Sequence, residues 1–179
     1  MKLRTMTLLI AILCLLAFRV IPAEDKPTGK TIKPCVMITG NHSHVDKPRY
    51  LRITSADEWT RVWEEHKGPN TPADCDLLSV DFDGYMVIAI FQGNGVNSFG
   101  LGAVSITEED KRIVLRYKKT GYQTGSVDGG DGGAEKVTVY GFFVLPRSPK
   151  PVVLEENVST IIGQEPPEWK ERKTFSKIE

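Results

Sequence analysis

Seven consecutive apolar residues, Tyr85-Met86-Val87-Ile88-Ala89-Ile90-Phe91, set the strongest constraint on this chain. Successive side chains of a strand point to opposite faces, so a run with no polar position leaves neither face for water. The turn signal Asp81-Phe82-Asp83-Gly84 stands directly before it, and a short apolar run bounded by turn residues suits a buried strand. The spacing therefore predicts a central strand covered on both sides.

Runs at 35–39, 50–54, 99–106, 112–117 and 136–145 also read as strands. The glycines in 99–106 point to a place where another surface approaches closely. Residues 152–154 follow Pro146, Pro149 and Pro151 and suit a short edge strand. Gly93-Asn94-Gly95 reads as a turn, and the glycine-rich segment 120–134 as a mobile hairpin loop. One segment is clearly helical. Ser55-Ala56-Asp57-Glu58 is a capping box; beyond it Ala56, Trp59, Val62 and Trp63 share one face, and Gly68-Pro69 ends the element. Core packing on a sheet accounts for Trp59 and Trp63 better than a ligand-binding pair does. Together the elements predict an α+β fold, a mainly antiparallel β-sheet with one N-terminal amphipathic helix packed on it.

The ends indicate processing. Lys2 and Arg4 precede the apolar run 8–18, and Ala23 offers a small residue before a cut. Residues 1–23 are thus expected to be a secretory signal peptide, and the run is shorter than the roughly 20 residues a membrane span needs. Retention of that segment would make it a membrane anchor. Cys14 follows the bulky Ile12 and Leu13 and reads as an ordinary apolar member of the signal. Residues 24–34 form a flexible lead-in, 35–162 a single β-rich domain and 163–179 a polar tail. Removing 1–23 takes away three cations and no acid, so the formal charge moves from zero to −3. Such a chain has no general pull toward nucleic acid. Cys35 and Cys75 remain, and in an oxidising compartment they can form one disulfide worth about 3–4 kcal/mol, or stay as free thiols.

Several of these segments occur in a familiar order: Ser55-Ala56-Asp57-Glu58-Trp59 with Trp63, then residues 80–93, a glycine-bearing strand, a charged strand, Val139 to Leu145, and Ser148-Pro149-Lys150-Pro151-Val152-Val153. Over residues 55–154 this resembles the C-terminal domain of the protease-complex-subunit PrcB family. Family members often show Gly-Gly-Tyr where this chain has Asn97-Ser98-Phe99-Gly100. The resemblance implies a bacterial envelope protein acting as a binding or accessory module, and it brings no catalytic residues with it.

Few residues suggest chemistry. His42 and His44, two apart, point the same way on an extended segment, and with Asp46 they suit zinc or copper. His66 is the remaining histidine. The competing reading is an exposed polar loop, since no H-E-x-x-H spacing is present. Asp128 and Asp131 sit among glycines without the EF-hand pattern. Gly93-Asn94-Gly95 lacks the Gly-Lys-Ser/Thr and the following helix of a phosphate loop. No nucleophile elbow is present either. The expected function is therefore an exported, non-catalytic module that contacts another envelope or secreted protein, such as a protease, and needs no cofactor. The candidate partner-binding residues are Asn94, Asn97, Phe99, Tyr122, Gln123, Asp128 and Asp131, on the loops at 92–99 and 121–134. The alternatives are a metal-binding protein or metal-dependent enzyme built on His42, His44 and Asp46, and a structural protein anchored by its N-terminal segment.

Overall fold

The computed structural model describes residues 29–69, 77–124, 132–159 and 165–178. In chain order the elements are β1 (Lys30–Thr31), β2 (Val36–Gly40), β3 (Arg49–Ile53), α1 (Ala56–Lys67), β4 (Tyr85–Val96), β5 (Ser98–Glu108), β6 (Ile113–Gly121), β7 (Lys136–Pro146), β8 (Val152–Asn157) and β9 (Trp169–Phe175). The fold is mostly β, with one helix, and belongs to the α+β class. The strands do not form a single sheet. A four-stranded sheet in the order β2-β7-β4-β3 stacks on a five-stranded sheet in the order β1-β5-β6-β8-β9.

The run in β4 explains the two sheets. Met86, Ile88 and Ile90 enter a core shared with Leu101 and Ile106 of β5, Ile113 and Leu115 of β6, and Val152 and Leu154 of β8. Val87, Ala89 and Phe91 enter a second core with Trp59 and Val62 of α1 and Phe142 and Val144 of β7. One helix covers only one face of such a strand, so the other face recruits the second sheet. Trp59 anchors the helix: its ring meets Phe142 edge-on at 5.0 Å, and its indole N–H donates to Leu78 O at 2.8 Å. Truncating a ring this buried costs about 3–5 kcal/mol. The helix starts where Glu58 N–H donates to Ser55 Oγ and stops at Gly68, whose φ of 77° suits glycine.

Four further sequence expectations need correction. Gly93-Asn94-Gly95 is no turn: β4 continues through it after a bulge between Phe91 and Gly93. Gly93, at φ 73°, lies so close to the 41–48 loop that a Cβ there would come 2.8 Å from Asp46 O. β6 and β7, expected as the arms of a hairpin around 120–134, belong to different sheets; residues 125–131 between them lie outside the described residues. Residues 152–154 are interior rather than at an edge: β8 pairs parallel with β6 and antiparallel with β9. Finally, the segment expected as a polar tail supplies β9. There Arg172 pairs with Glu156 at 2.6 Å and Trp169 lies under the Arg116 guanidinium at 5.0 Å, while Phe175 packs on the core. Cys35 is an exposed free cysteine; Cys75 and the segment 1–23 lie outside the described residues. No described helix is long and apolar enough to cross a membrane.

The segment 41–48 is pinned to the helix end by a buried polar network. Ser43 N–H donates to Thr138 Oγ1 at 2.7 Å, Thr138 Oγ1 donates back to Ser43 O, and His44 N–H donates to His66 O at 2.9 Å. His66 is 2 % exposed, and its Nδ1 lies 3.0 Å from Ser43 Oγ. Val45 N–H donates to the same hydroxyl, which leaves the hydroxyl proton for a neutral His66. Burial, reinforced by Lys67 and His44, lowers the His66 pKa to about 4. An unfolded histidine titrates near 6.5. Between those values the unfolded chain holds a proton that the native chain refuses, so stability falls as pH drops from about 6.5 to about 4, by about 3 kcal/mol in all. Urea unfolding across this window should show the loss, and His66→Phe should flatten it; an unchanged pH slope in that variant would remove His66 as the cause.

Candidate functional site

Asn97 is the single residue between β4 and β5, where the chain leaves one sheet for the other. Its φ of 53° lies in the left-handed region that asparagine tolerates better than most residues. All of its polar groups are engaged. The backbone N–H donates to Glu135 O at 3.0 Å, and the carbonyl accepts from Tyr122 N at 3.0 Å. Oδ1 accepts from Glu135 N at 2.8 Å, and Nδ2 donates to Thr124 Oγ1 at 3.1 Å. One side chain thus joins the β4–β5 connection to the segments that leave β6 and enter β7. Beside it, Ser98 is fully buried and donates to Thr120 O at 2.7 Å, while its own carbonyl accepts from Asn41 Nδ2.

This polar hub presents an apolar surface. Phe99 is 67 % exposed and Val96 52 % exposed. Phe99 stacks on Tyr122 with ring centroids 4.7 Å apart, and the Tyr122 hydroxyl donates to Glu135 Oε2 at 2.5 Å. That bond raises the Tyr122 pKa, keeping the phenol protonated as a donor. Lys136, the cross-strand partner of Val96, adds a cation at the rim. The arrangement holds aromatic area open to water on a hydrogen-bonded frame.

The structure therefore brings together Asn97, Phe99 and Tyr122, with Gln123 exposed next in the chain. Asn94 stands apart on β4, where its backbone N–H donates to Asp46 O at 3.1 Å. Asp128 and Asp131 lie outside the described residues. Glu135, Thr124 and Ser98 are the members that sequence reasoning missed, because a side chain that holds a turn leaves no spacing signature.

His42, His44 and Asp46 do lie on one side of their segment, exposed, while Ser43 and Val45 between them are buried. His66 sits on the buried side with Ser43, so it does not join them. The His44 ring lies flat against Gly68, where a Cβ would come within 2.4 Å of it. Among the described residues no three His, Cys, Asp or Glu side chains gather as a metal-ligand set. The Ser43–His66 pair is architectural: the hydroxyl is buried and also receives the Val45 N–H, an arrangement that turns its oxygen inward rather than toward a substrate.

Replacing Asn97 separates its two contributions. Asn97→Ala loses both side-chain bonds and strains the positive φ, for an expected loss of about 2–3 kcal/mol; Asn97→Gly keeps the φ and should lose about 1–2 kcal/mol. Equilibrium urea unfolding of both variants measures the difference, and equal, negligible losses would show that the hub carries no strain-bearing role.

No protein-family model matches the chain, and searches of curated proteins and of solved structures return no match.

Proposed function

We propose that this chain is an exported, non-catalytic binding module that contacts another envelope protein, such as a protease, through its Asn97 end. The observation that carries the reading is Phe99, two-thirds exposed yet held in place by its stack on Tyr122 and by the hydrogen bonds of Asn97. A rigid aromatic anchor gives large contact area at little cost in conformational entropy. The N-terminal basic and apolar segments support export, and the resemblance of residues 55–154 to the PrcB family supports an accessory role.

The test starts with capture from native envelope extract, using the full chain and a Phe99→Ser, Tyr122→Ser double variant. A partner held by the wild type is then purified and the affinity of both chains measured. Loss of an anchor pair of this kind is worth at least about 2 kcal/mol, or about thirtyfold in Kd. Circular dichroism confirms that the double variant is folded. Equal affinity for both chains, or a partner lost only when His42 and His44 are replaced, would reject the reading.

A further inference from the structure

At the opposite end of the sandwich, where β5 turns into β6 and β7 passes to β8, lies a groove of about 430 Å³. It is lined by the 30–33 segment, the 146–150 connection, Glu108 and Ile113. Four of its side chains are cationic, Lys30, Lys33, Arg147 and Lys150, and Glu108 is the sole acid among them. Glu108 is already used: Lys150 Nζ lies 3.0 Å from its Oε1 and donates to Glu109 O at 2.8 Å. Arg147 donates only to neutral carbonyls, those of Phe82 and Thr54. Lys30 and Lys33 make no ion pair with any described residue.

A further cation stands behind the wall. Arg52 donates to Lys150 O at 2.9 Å, to Ser176 O at 3.2 Å and to Ser148 O. Burial and repulsion from Arg147 both lower its pKa, so the two guanidinium groups are close enough to oppose each other. Three positive charges, on Lys30, Lys33 and Arg147, thus remain unmatched in one concave site of a chain with zero formal net charge. Gathering like charges is unfavourable, and a concave, low-dielectric wall concentrates their field on whatever enters. Ile32, Pro146 and Pro149 add apolar lining.

We propose that this groove binds a small multivalent anion presenting clustered phosphate or carboxylate oxygens. Its volume falls in the range of small-ligand sites, roughly 300–1,000 Å³. Lys30 and Lys33 supply mobile ammonium groups, Arg147 a fixed charge, and Arg52 holds the opposite wall by its carbonyls. The proposal is independent of the Asn97 surface, which lies at the other end of β5.

Titration of the full chain with pyrophosphate and, separately, with citrate at low salt tests it by two-dimensional amide NMR. Saturable shifts confined to 30–33, 108–113 and 146–150 are expected. Lys30→Gln, Lys33→Gln together should weaken the apparent Kd at least about tenfold, Lys30→Arg, Lys33→Arg should restore it, and Lys118→Gln, at the far end, should leave it unchanged. The better of the two probes tells phosphate from carboxylate chemistry. Both lysines lie at the surface, so the amide spectrum also reports that the variants remain folded. Absence of saturation, shifts spread over all lysines, or an unchanged affinity in the glutamine variant would overturn the proposal.

Discussion

Burial of β4 on both faces is the condition on which the rest of this structure depends. Its even-numbered residues Met86, Ile88 and Ile90 face the second sheet, and its odd-numbered residues Val87, Ala89 and Phe91 face the helix. Neither cover alone is enough. Each apolar side chain withdrawn from water contributes about 1.5–3 kcal/mol, and leaving one face of the strand open would forfeit half of that. β7 repeats the pattern beside it, with Val139 and Phe143 toward the sheets and Phe142 and Val144 toward the helix. Gly141 packs tightly between them: a Cβ there would meet the Phe143 ring at 3.0 Å, closer than ordinary van der Waals contact. Two adjacent strands with two apolar faces fix a three-layer order of helix, sheet, sheet.

Three layers leave backbone polar groups at the seams, and these must be paired. The chain does so with a small set of side chains. Ser43, Thr138 and His66 tie the 41–48 segment to the helix end; Asn97 ties the crossing between sheets to the β6–β7 connection; Arg52 collects carbonyls from the β7–β8 connection and from Ser176. Each spans a large sequence separation, so none of them is a local turn device. They hold the ends of the sandwich in fixed shape, and a fixed shape is what lets exposed groups such as Phe99 keep one orientation.

This division also explains what sequence could convey. Periodicity made the strands, the helix at residues 56–67 and the double cover of β4 legible, because alternation and helical spacing record which face is buried. It did not show that the covers were two different layers, since a buried face looks the same whatever lies on it. Charge misled at the C-terminus: residues 169–175 read as a solvated tail, yet Glu156 and Arg116, far away in sequence, match its Arg172 and Trp169. Gly93 and Gly95 read as a turn because glycine permits one, whereas Gly93 is there to admit the 41–48 segment against the strand. At the candidate site Phe99 and Tyr122 were found as residues on glycine-flanked loops, but their stacking rests on Asn97 and Glu135, whose role is set by spatial contact alone.

The placement of the exposed chemistry follows from the edges. A free strand edge invites pairing with other chains, and short or charged edges suppress it. Here β1 has two residues, β2 five, and β9 carries Lys170, Glu171 and Lys173 along an exposed course. On the edge opposite β2, Arg49 of β3 is held by both oxygens of Glu65 at 2.8 Å. With its sides blunted in this way, the sandwich leaves its exposed aromatic and cationic groups at its two ends. One end carries aromatic area and the other unmatched positive charge. Because the same long strand, β5, runs from Ser98 beside the first to Glu108 beside the second, the two surfaces lie at opposite ends of one element.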